Sequence, residues 1–567
     1  MNRIVFDIEA NGLNELIING KGQVTPEATE VHCLVTLNLD TSVMKSYGPC
    51  EIEQGVEELR NADLLIGHNI MMYDVPLLRR LYGPINTKCL DTLIISKLMY
   101  PDKGQHPLGG NSLDCWGQHL DYAKTDYQGG WEAFSEEMLK YCEQDVRLNA
   151  RVYEAQKEFI DSYDKVVRLE HMVTGILAKQ IENGFGFDLR KGEELLDKLS
   201  ARKSKIEEYF GELFPPKVEI RYSEKTGKRL KDKVTVFNPG SRKQIAERLQ
   251  EKYSWVPPVT EKGNPKVDET VLKTLPYREA EVLVKYFNDI KLMGQVSDWI
   301  KRSEYSRDGR IHGGINPQGT VTGRMTASQP NLQQVSGDKR ARSLFVPRSG
   351  WNQVGIDAKG LEARMLANRM YPYDGGSYGK IVTDGDIHSE NQQLAGLPER
   401  DMAKTFFYGF LYGAGDAKIG KIVGQSSNAG KELKERFLRR LPALKKVIQK
   451  CKFQVNKSGT IELLDGRKVP CRSVHAALNV QLQGDGAVIM KLAQCILSTK
   501  IKKHGFENQA KFMATVHDEW QLEVHPDITD KVGELGCLSI QEAGERLGCK
   551  VKLEGDFKVG RNWAECH

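Results

Sequence analysis

Residues 400–413 read R-D-M-A-K-T-F-F-Y-G-F-L-Y-G. Arg400, Lys404, Tyr408 and Tyr412 recur every four residues, a spacing that stacks them along one face of a helix. Pro398 upstream suits a helix start, and Gly413 and Gly415 suit a stop. The face then carries two cations in its first two turns and two aromatic rings after them. Two cations clamp a polyphosphate, Arg by its planar fork and Lys as a point charge. A ring one turn further on stacks on a base or fills the space beside a sugar. R-x-x-x-K alone is as readily a solvated helix face; the full string is far more specific.

Working outward, other stretches set carboxylates at strand ends. In VGIDAKGLEARMLA an apolar run ends at Asp357, and the helix after it carries Glu362. KFMATVHDEWQLEV reads as two apolar strands joined by a tight turn with His517 and Asp518 at its tip. Two facing strand ends bring such carboxylates to one place, although an isolated D-x-x-x-x-E is more often a cap and a surface acid. GDIH puts His388 shortly before the helix of the opening string.

The chain begins with another such pattern. Arg3–Ile8 (RIVFDI) reads as a buried strand, and Asp7 and Glu9, two apart, leave it on one face. Paired carboxylates in a hydrophobic sheet are costly unless a cation neutralises them, and a divalent metal is the usual answer. DLLIGHNIMMYDVPLL gives a strand, a turn at Gly67-His68-Asn69 and a helix start at Asp74. EEMLKYCEQDVRLNARVYEAQ is a helix with Tyr141 and Asp145 on one face. Singly, each acid is more often a surface or capping residue. His68 and Asn69 read as turn and capping residues.

The full opening string, R-x-x-x-K-x-x-x-Y-G-x-x-Y-G, resembles the nucleotide-binding fingers helix of family A DNA polymerases, the DNA polymerase I type. The other motifs follow in the family's order. Asp357 and Asp518 match its motifs A and C, and T-G-R, P-N-L-Q-Q and the segment 465–490 match stretches near the primer–template duplex. The patterns D-x-E, N-x-x-x-x-D and Y-x-x-x-D resemble the DEDD 3′–5′ exonucleases over roughly residues 1–150. The terminus GRNWAECH resembles that of replicative polymerases of T-seven-like phages, the members this chain is most like.

The resemblance implies roles. Asp357, Asp518 and the Ala358 carbonyl hold two Mg²⁺ for nucleotidyl transfer; Asp7, Glu9, Asp74 and Asp145 hold two more for excision, with Mn²⁺ able to substitute. Tyr141 orients the attacking water. His388, Arg400 and Lys404 meet the triphosphate of an incoming dNTP, Lys404 counting among the catalytic groups. Tyr408 and Glu362 lie against its sugar. Arg324, Gln334, Tyr412, His475, Gln483 and His517 contact primer–template DNA. The fold implied is an α/β exonuclease domain with a ribonuclease H-like mixed sheet (1–155), then a right-hand α+β polymerase domain. Its parts are a mostly helical thumb (156–310), first palm part (311–385), fingers (386–470) and second palm part (471–567). The function implied is replication of phage DNA with proofreading. A single-subunit RNA polymerase-like enzyme and a non-catalytic DNA-binding relative are the alternatives; Glu362 and the first domain speak against one, the full carboxylate set against the other.

Between these motifs the thumb region is rich in Lys, Glu and Leu with helical periodicity, broken at Gly184, Pro215-Pro216 and Pro257-Pro258. Residues 217–233 carry Arg221, Lys225, Lys228, Arg229 and Lys231 around Thr226-Gly227 and read as a basic hairpin, either solvated or on a DNA backbone. Ser241 is placed to cap the next helix. T-seven-like phage polymerases carry a longer thioredoxin-binding insertion near here, so thioredoxin is doubtful as a partner; a phage helicase–primase and a single-stranded DNA-binding protein are further expected partners. No 5′-nuclease domain is expected ahead of residue 1.

Bulk properties agree with a globular enzyme. Of 567 residues, 28% are charged and 40% hydrophobic, enough for several domains. A net charge of +5 says little about partners, because local stripes matter more than the sum. Eleven cysteines without framework spacing or a Cys-x-x-Cys pair suit a reducing compartment and argue against structural zinc. The acidic start MNRIVFDIEANG is unlike a signal peptide, and no apolar run is long enough to span a bilayer, so the host bacterial cytoplasm is the expected location.

Overall fold

The computed structural model describes residues 1–567 apart from 14–16, 19–22, 26, 103, 105, 123–126, 261 and 567. Packing divides the chain into two compact units. One comprises Met1–Gly186, His312–Val335 and Val346–His567, the other Phe187–Ile311 and Ser336–Phe345. The division departs from the expected boundaries. Position 155/156 falls inside a continuous helix, Glu136–Ser162. The next helix, Asp164–Asn183, buries Val166, Leu169, Val173, Leu177 and Ile181 within the first unit, against helix Ala477–Lys503 and strand Ala510–Val516. Residues 336–345 return to the second unit.

The first unit holds two main sheets. One has five strands in the order Met44–Tyr47, Val31–Asn38, Arg3–Ala10, Leu64–Gly67, Cys89–Asp91. The first three are antiparallel and the last two run parallel to Arg3–Ala10. Both faces are covered, which explains the unbroken apolar start of RIVFDIEA. Ile4, Phe6 and Ile8 enter one core with Val56, Leu77 and Leu78. Val5 enters the other, against Met138, Cys142 and Val146 of helix Glu136–Ser162. Asp7 and Glu9 continue the Val5 face, where the period of the strand places them.

The second sheet is antiparallel, in the order Ala510–Val516, Glu519–Val524, Asn352–Ala358, Gly555–Gly560. Val354 and Ile356 are fully buried, and helix Thr529–Arg546 packs on this face so closely that a Cβ on Gly536 would stand 2.4 Å from Ile356. Strand Asn352–Ala358 passes through Gly360, at φ +55°, into helix Leu361–Asp374. That left-handed turn suits glycine.

Beneath the helices lies a buried ionic cluster. Glu170, fully buried, accepts from Lys491 Nζ at 2.8 Å and Arg467 Nη1 at 2.6 Å, and Arg467 also pairs with Asp465 at 2.7 Å. Burial pushes the Glu170 carboxyl up, yet Lys491 and Arg467 outweigh it and hold it below its usual range. Glu170→Gln leaves two buried cations short of a counter-charge and is expected to cost about 3–5 kcal/mol. A urea titration reads this as a lower midpoint; an unchanged midpoint would mean the cluster is solvated.

The second unit is largely helical. Phe210 of helix Leu189–Leu213 and Phe214, which caps its end, pack with Phe237, Ile245, Leu249 and Leu283. Ser241 caps helix Arg242–Tyr253 by accepting from Gln244 N. Lys217–Glu219 pairs with Lys233–Thr235 as a hairpin turning at Gly227, φ +65°. Arg229 is paired with Asp232, and the hairpin also exposes Val218, Ile220, Tyr222, Val234 and Val236, so its surface is apolar as well as basic. No helix among the described residues is long and apolar enough to cross a membrane.

Candidate active sites

The second sheet brings together the carboxylates of its central strand and hairpin. Asp357 ends the apolar run and lies opposite Glu519 on one side and Asp556 on the other. Val516 and Glu519 pair across a two-residue turn, His517-Asp518, in which His517 is held at φ +56°. A non-glycine residue in that region signals a turn fixed by its surroundings. The Ala358 N–H donates to the Asp518 carbonyl at 3.1 Å and locks the two strand ends side by side. Although Asp357 reaches solvent, partial desolvation and then repulsion from Asp518 and Glu519 push its carboxyl up to about 7. Burial likewise raises Asp518. Arg324 and His517 offset only part of this, since both carboxyls stay raised; such a cluster suits a divalent cation bound by hard oxygens. Glu519 is buried and committed elsewhere: it accepts from Trp563 Nε1 at 2.9 Å and from Gln521 Nε2.

Helix Arg400–Leu411 carries the four-residue series as expected. Ala403, Phe406, Phe407 and Phe410 form its buried side, and Tyr412 follows as its last position before Gly413, φ +73°. Lys404 is exposed and makes no hydrogen bond or ion pair among the described residues. Arg400 is held differently from the expectation: its fork binds Asp386, Nε to Oδ2 at 2.7 Å and Nη2 to Oδ1 at 3.0 Å. Asp386 also caps helix Ile387–Ala395, accepting from His388 N at 3.1 Å. Its N-cap position in G-D-I-H was the signal for this partner. Burial, then Arg400 and Lys404, hold the His388 imidazole below its usual pKa.

The aromatic end of the series faces the carboxylates. Tyr408 and Tyr412 are stacked with centroids 6.3 Å apart, and Tyr408 lies 6.0 Å from the His388 ring. Burial, Glu362 and Asp518 raise the Tyr408 phenol, which therefore feels both acids. Tyr412 Oη donates to Glu362 Oε2 at 2.7 Å, and Arg324 Nη2 donates to Glu362 Oε1 at 2.9 Å. Glu362, expected at the sugar, and Arg324 and Tyr412, expected on DNA, thus form one network. Arg324, Glu362, His517 and Asp518 line one small cleft with Gln333, whose amide donates to the Thr515 carbonyl at 3.3 Å. Gln334 is exposed. His475 is exposed just before helix Ala477–Lys503 and Gln483 is half-buried on it; neither side chain makes a hydrogen bond among the described residues.

The first sheet builds a second acidic site. Asp7 and Glu9 face helix Glu136–Ser162, which supplies Tyr141, Cys142 and Asp145. The Tyr141 ring packs on Tyr127 and Trp131, at 5.7 and 6.2 Å. Asp145 is 4% exposed and Asp74 2%. The Asp74 carboxyl lies near the Ile8 N–H, and burial with the nearby Asp91 pushes it up to about 7; its Oδ1 has no hydrogen-bond partner among the described residues. Among the described residues, the group whose ligand atoms all lie within 4.8 Å of one another is Asp7, Glu9 and Cys142. Asp74 and Asp145 approach from separate elements outside that set, so the sequence named two members of the tight group and missed Cys142. Its signal was the buried stripe Met138–Cys142–Asp145–Val146. His68 bonds Thr92 and Asn111, and the Asn69 N–H is held by Asp91, as turn residues.

With this geometry in view, residues 216–565 match the family described as DNA polymerase family A. The chain is 34% identical to the DNA-directed DNA polymerase of Escherichia phage T7 and 33% to that of Enterobacteria phage T3, each over the whole of both chains. It is 27% identical to DNA polymerase I of Aquifex aeolicus, covering 93% of this chain and 92% of that one. A solved structure of the POL domain of Pol1 from M. smegmatis, in complex with DNA primer-template and dNTP, has a similar fold. The TM-score is 0.79 at 19% identity, over 99% of this chain and 96% of that one.

Proposed function

This chain belongs to DNA polymerase family A and is a DNA-directed DNA polymerase, and from that premise we propose that it works through two separate carboxylate centres. Nucleotide addition is assigned to Asp357 and Asp518, and 3′–5′ excision to Asp7, Glu9, Asp74 and Asp145 on a ribonuclease H-like sheet. The hydrogen bond from Ala358 to Asp518 supports the first assignment most, because it sets two carboxylates of distant segments at one end of one sheet. Both acid clusters fit Mg²⁺, two ions at each, with Mn²⁺ able to replace it; bound there, the metal lowers the pKa of the attacking hydroxyl or water and offsets charge on the leaving oxygen.

The chain's own groups do the rest. Lys404, exposed and unengaged, meets the triphosphate as a point charge. Arg400 binds phosphate by exchanging it for Asp386, which keeps the guanidinium oriented beforehand. His388 offers a phosphate oxygen a hydrogen bond. Tyr412 and Arg324 fix Glu362 as a wall beside the sugar, where a 2′-hydroxyl clashes. In the excision site Tyr141 orients the attacking water. Primer–template DNA and dNTPs are the substrates.

A 5′-labelled primer on a longer template tests this reading. With Mg²⁺ and dNTPs the primer lengthens; with Mg²⁺ alone it shortens; EDTA stops both. Extension with rNTPs as efficient as with dNTPs would favour an RNA polymerase, and binding without either reaction would favour a non-catalytic relative.

Tyr408 provides a sharper check. Its hydroxyl has no hydrogen-bond partner among the described residues, and the charges of Glu362 and Asp518 act on it. There it stands in for the 3′-hydroxyl that a dideoxynucleotide lacks, filling a place that Phe leaves unpaired. Leaving a polar group unpaired costs about 1–3 kcal/mol, or about 5- to 150-fold in selectivity. The enzyme is expected to accept dideoxynucleotides almost as readily as normal ones, and Tyr408→Phe to restore discrimination. The measurement is the kcat/KM ratio for dTTP over ddTTP; a ratio unmoved by the substitution would remove Tyr408 from the sugar.

A further inference from the structure

We propose that Cys142 is a ligand of the cation site at Asp7 and Glu9, which gives that site a mixed oxygen–sulfur donor set and an affinity for thiophilic divalent ions of the Zn²⁺ and Co²⁺ class. Cys142 Sγ lies 3.8 Å from Asp7 Oδ2, and one ligand atom each of Asp7, Glu9 and Cys142 fall within 4.8 Å of one another. An ion held by oxygen at about 2.0–2.2 Å and sulfur at about 2.3 Å sets its donors roughly 3.5 Å apart, so the three atoms ring one position with small adjustments.

A second observation points to a cation at the same place. Asp74, 2% exposed, places its carboxyl near the Ile8 N–H, on the residue between Asp7 and Glu9, and its Oδ1 has no hydrogen-bond partner among the described residues. A buried carboxylate oxygen without a donor is expensive and is relieved by a cation. Sulfur is a poor ligand for Mg²⁺ and a good one for softer ions, so the thiol adds nothing to Mg²⁺ binding and selects for the other class. Cys142 binds as the thiolate, its proton passing to solvent. Cys33 stands opposite Glu9 in the ladder, and its thiol also touches Cys142. It lies outside the three-atom group and serves as the control.

The location of this site at an excision centre rests on the function proposed above; the binding itself does not. The test titrates the full-length protein with Co²⁺ alone and follows thiolate-to-cobalt charge-transfer absorption in the near ultraviolet. The wild type is expected to develop the band at one equivalent and to lose it when Zn²⁺ is added. Cys33→Ala keeps the band. Cys142→Ala loses it and binds Co²⁺ at least about tenfold more weakly, while primer extension by the other centre reports an intact fold. Should the alanine variant fail to extend primers, Cys142→Ser, nearly the same size but with a hard donor, is read in its place. A band of equal strength without the Cys142 thiol, or tight Co²⁺ binding with no band, overturns the proposal. Mg²⁺-dependent shortening of DNA by the wild type is scored separately. Shortening without a band defeats the thiol ligand and leaves excision standing; a band without shortening supports the ligand and removes the excision reading.

Discussion

Asp357→Asn, and separately Asp518→Asn, is expected to lower primer extension by about 10³-fold or more while affinity for primer–template changes little. Asparagine keeps the shape of each side chain and removes one negative charge. At Asp357 that charge faces Asp518 and Glu519, with Asp556 in the neighbouring strand. Without bound cations the loss relieves repulsion, so the apoprotein is no less stable and folding should survive. With cations bound the sign reverses, because the lost charge had been opposing two dications. Losing about 4 kcal/mol of transition-state stabilisation corresponds to about 10³ in rate. Gel retardation or anisotropy reads DNA binding, and rapid quench reads chemistry. Lost binding with an unchanged single-turnover rate would contradict the ligand role.

Asp7→Ala with Glu9→Ala should abolish 3′–5′ shortening and leave extension within about twofold. These residues belong to a different sheet from Asp357 and Asp518, and each sheet has its own core. Both side chains continue the Val5 face at the end of their strand, so replacing them removes charge without opening a cavity among Ile4, Phe6 and Ile8. Substitutions at such separated sites act independently. If extension fell as far as shortening while the fold was kept, the assignment of two centres would be wrong.

The parts of these sites that were legible in the sequence are those fixed by local period. Asp7 and Glu9 share a face because a strand repeats every two residues. Arg400 to Tyr412 share one because a helix nearly repeats every four, and Gly413 ends that helix where its left-handed φ requires. Strand ends at Asp357 and Asp518 were visible as apolar runs that stop. Strand ends that face each other allow their pairing, but sheet order is set by packing, and it was the resemblance that singled out this pair.

What stayed hidden depends on partners remote in the chain or on residue types with a blander use. Arg400 reads as a free phosphate clamp until Asp386 is seen across the turn. Cys142 sits on a buried stripe, where cysteine usually acts as a small hydrophobe. The engagement of Glu519 by Trp563, and of Glu170 by Arg467 and Lys491, joins segments that no local pattern relates. The division into two units is hidden for a related reason. Helix Asp164–Asn183 has the same amphipathic composition as the helices after it, and only its contacts assign it to the first unit.

The central claim is that Asp357 and Asp518 act as one unit. A double-mutant cycle on single-turnover nucleotide addition tests it, using Asp357→Asn, Asp518→Asn and the combined variant in an Asp7→Ala, Glu9→Ala background. Residues that act as a unit give grossly non-additive losses. The account predicts that the double variant is slower than the worse single one by no more than about tenfold. Losses that multiply, each substitution costing the same whether or not the other is present, would show two independent contributors and contradict it.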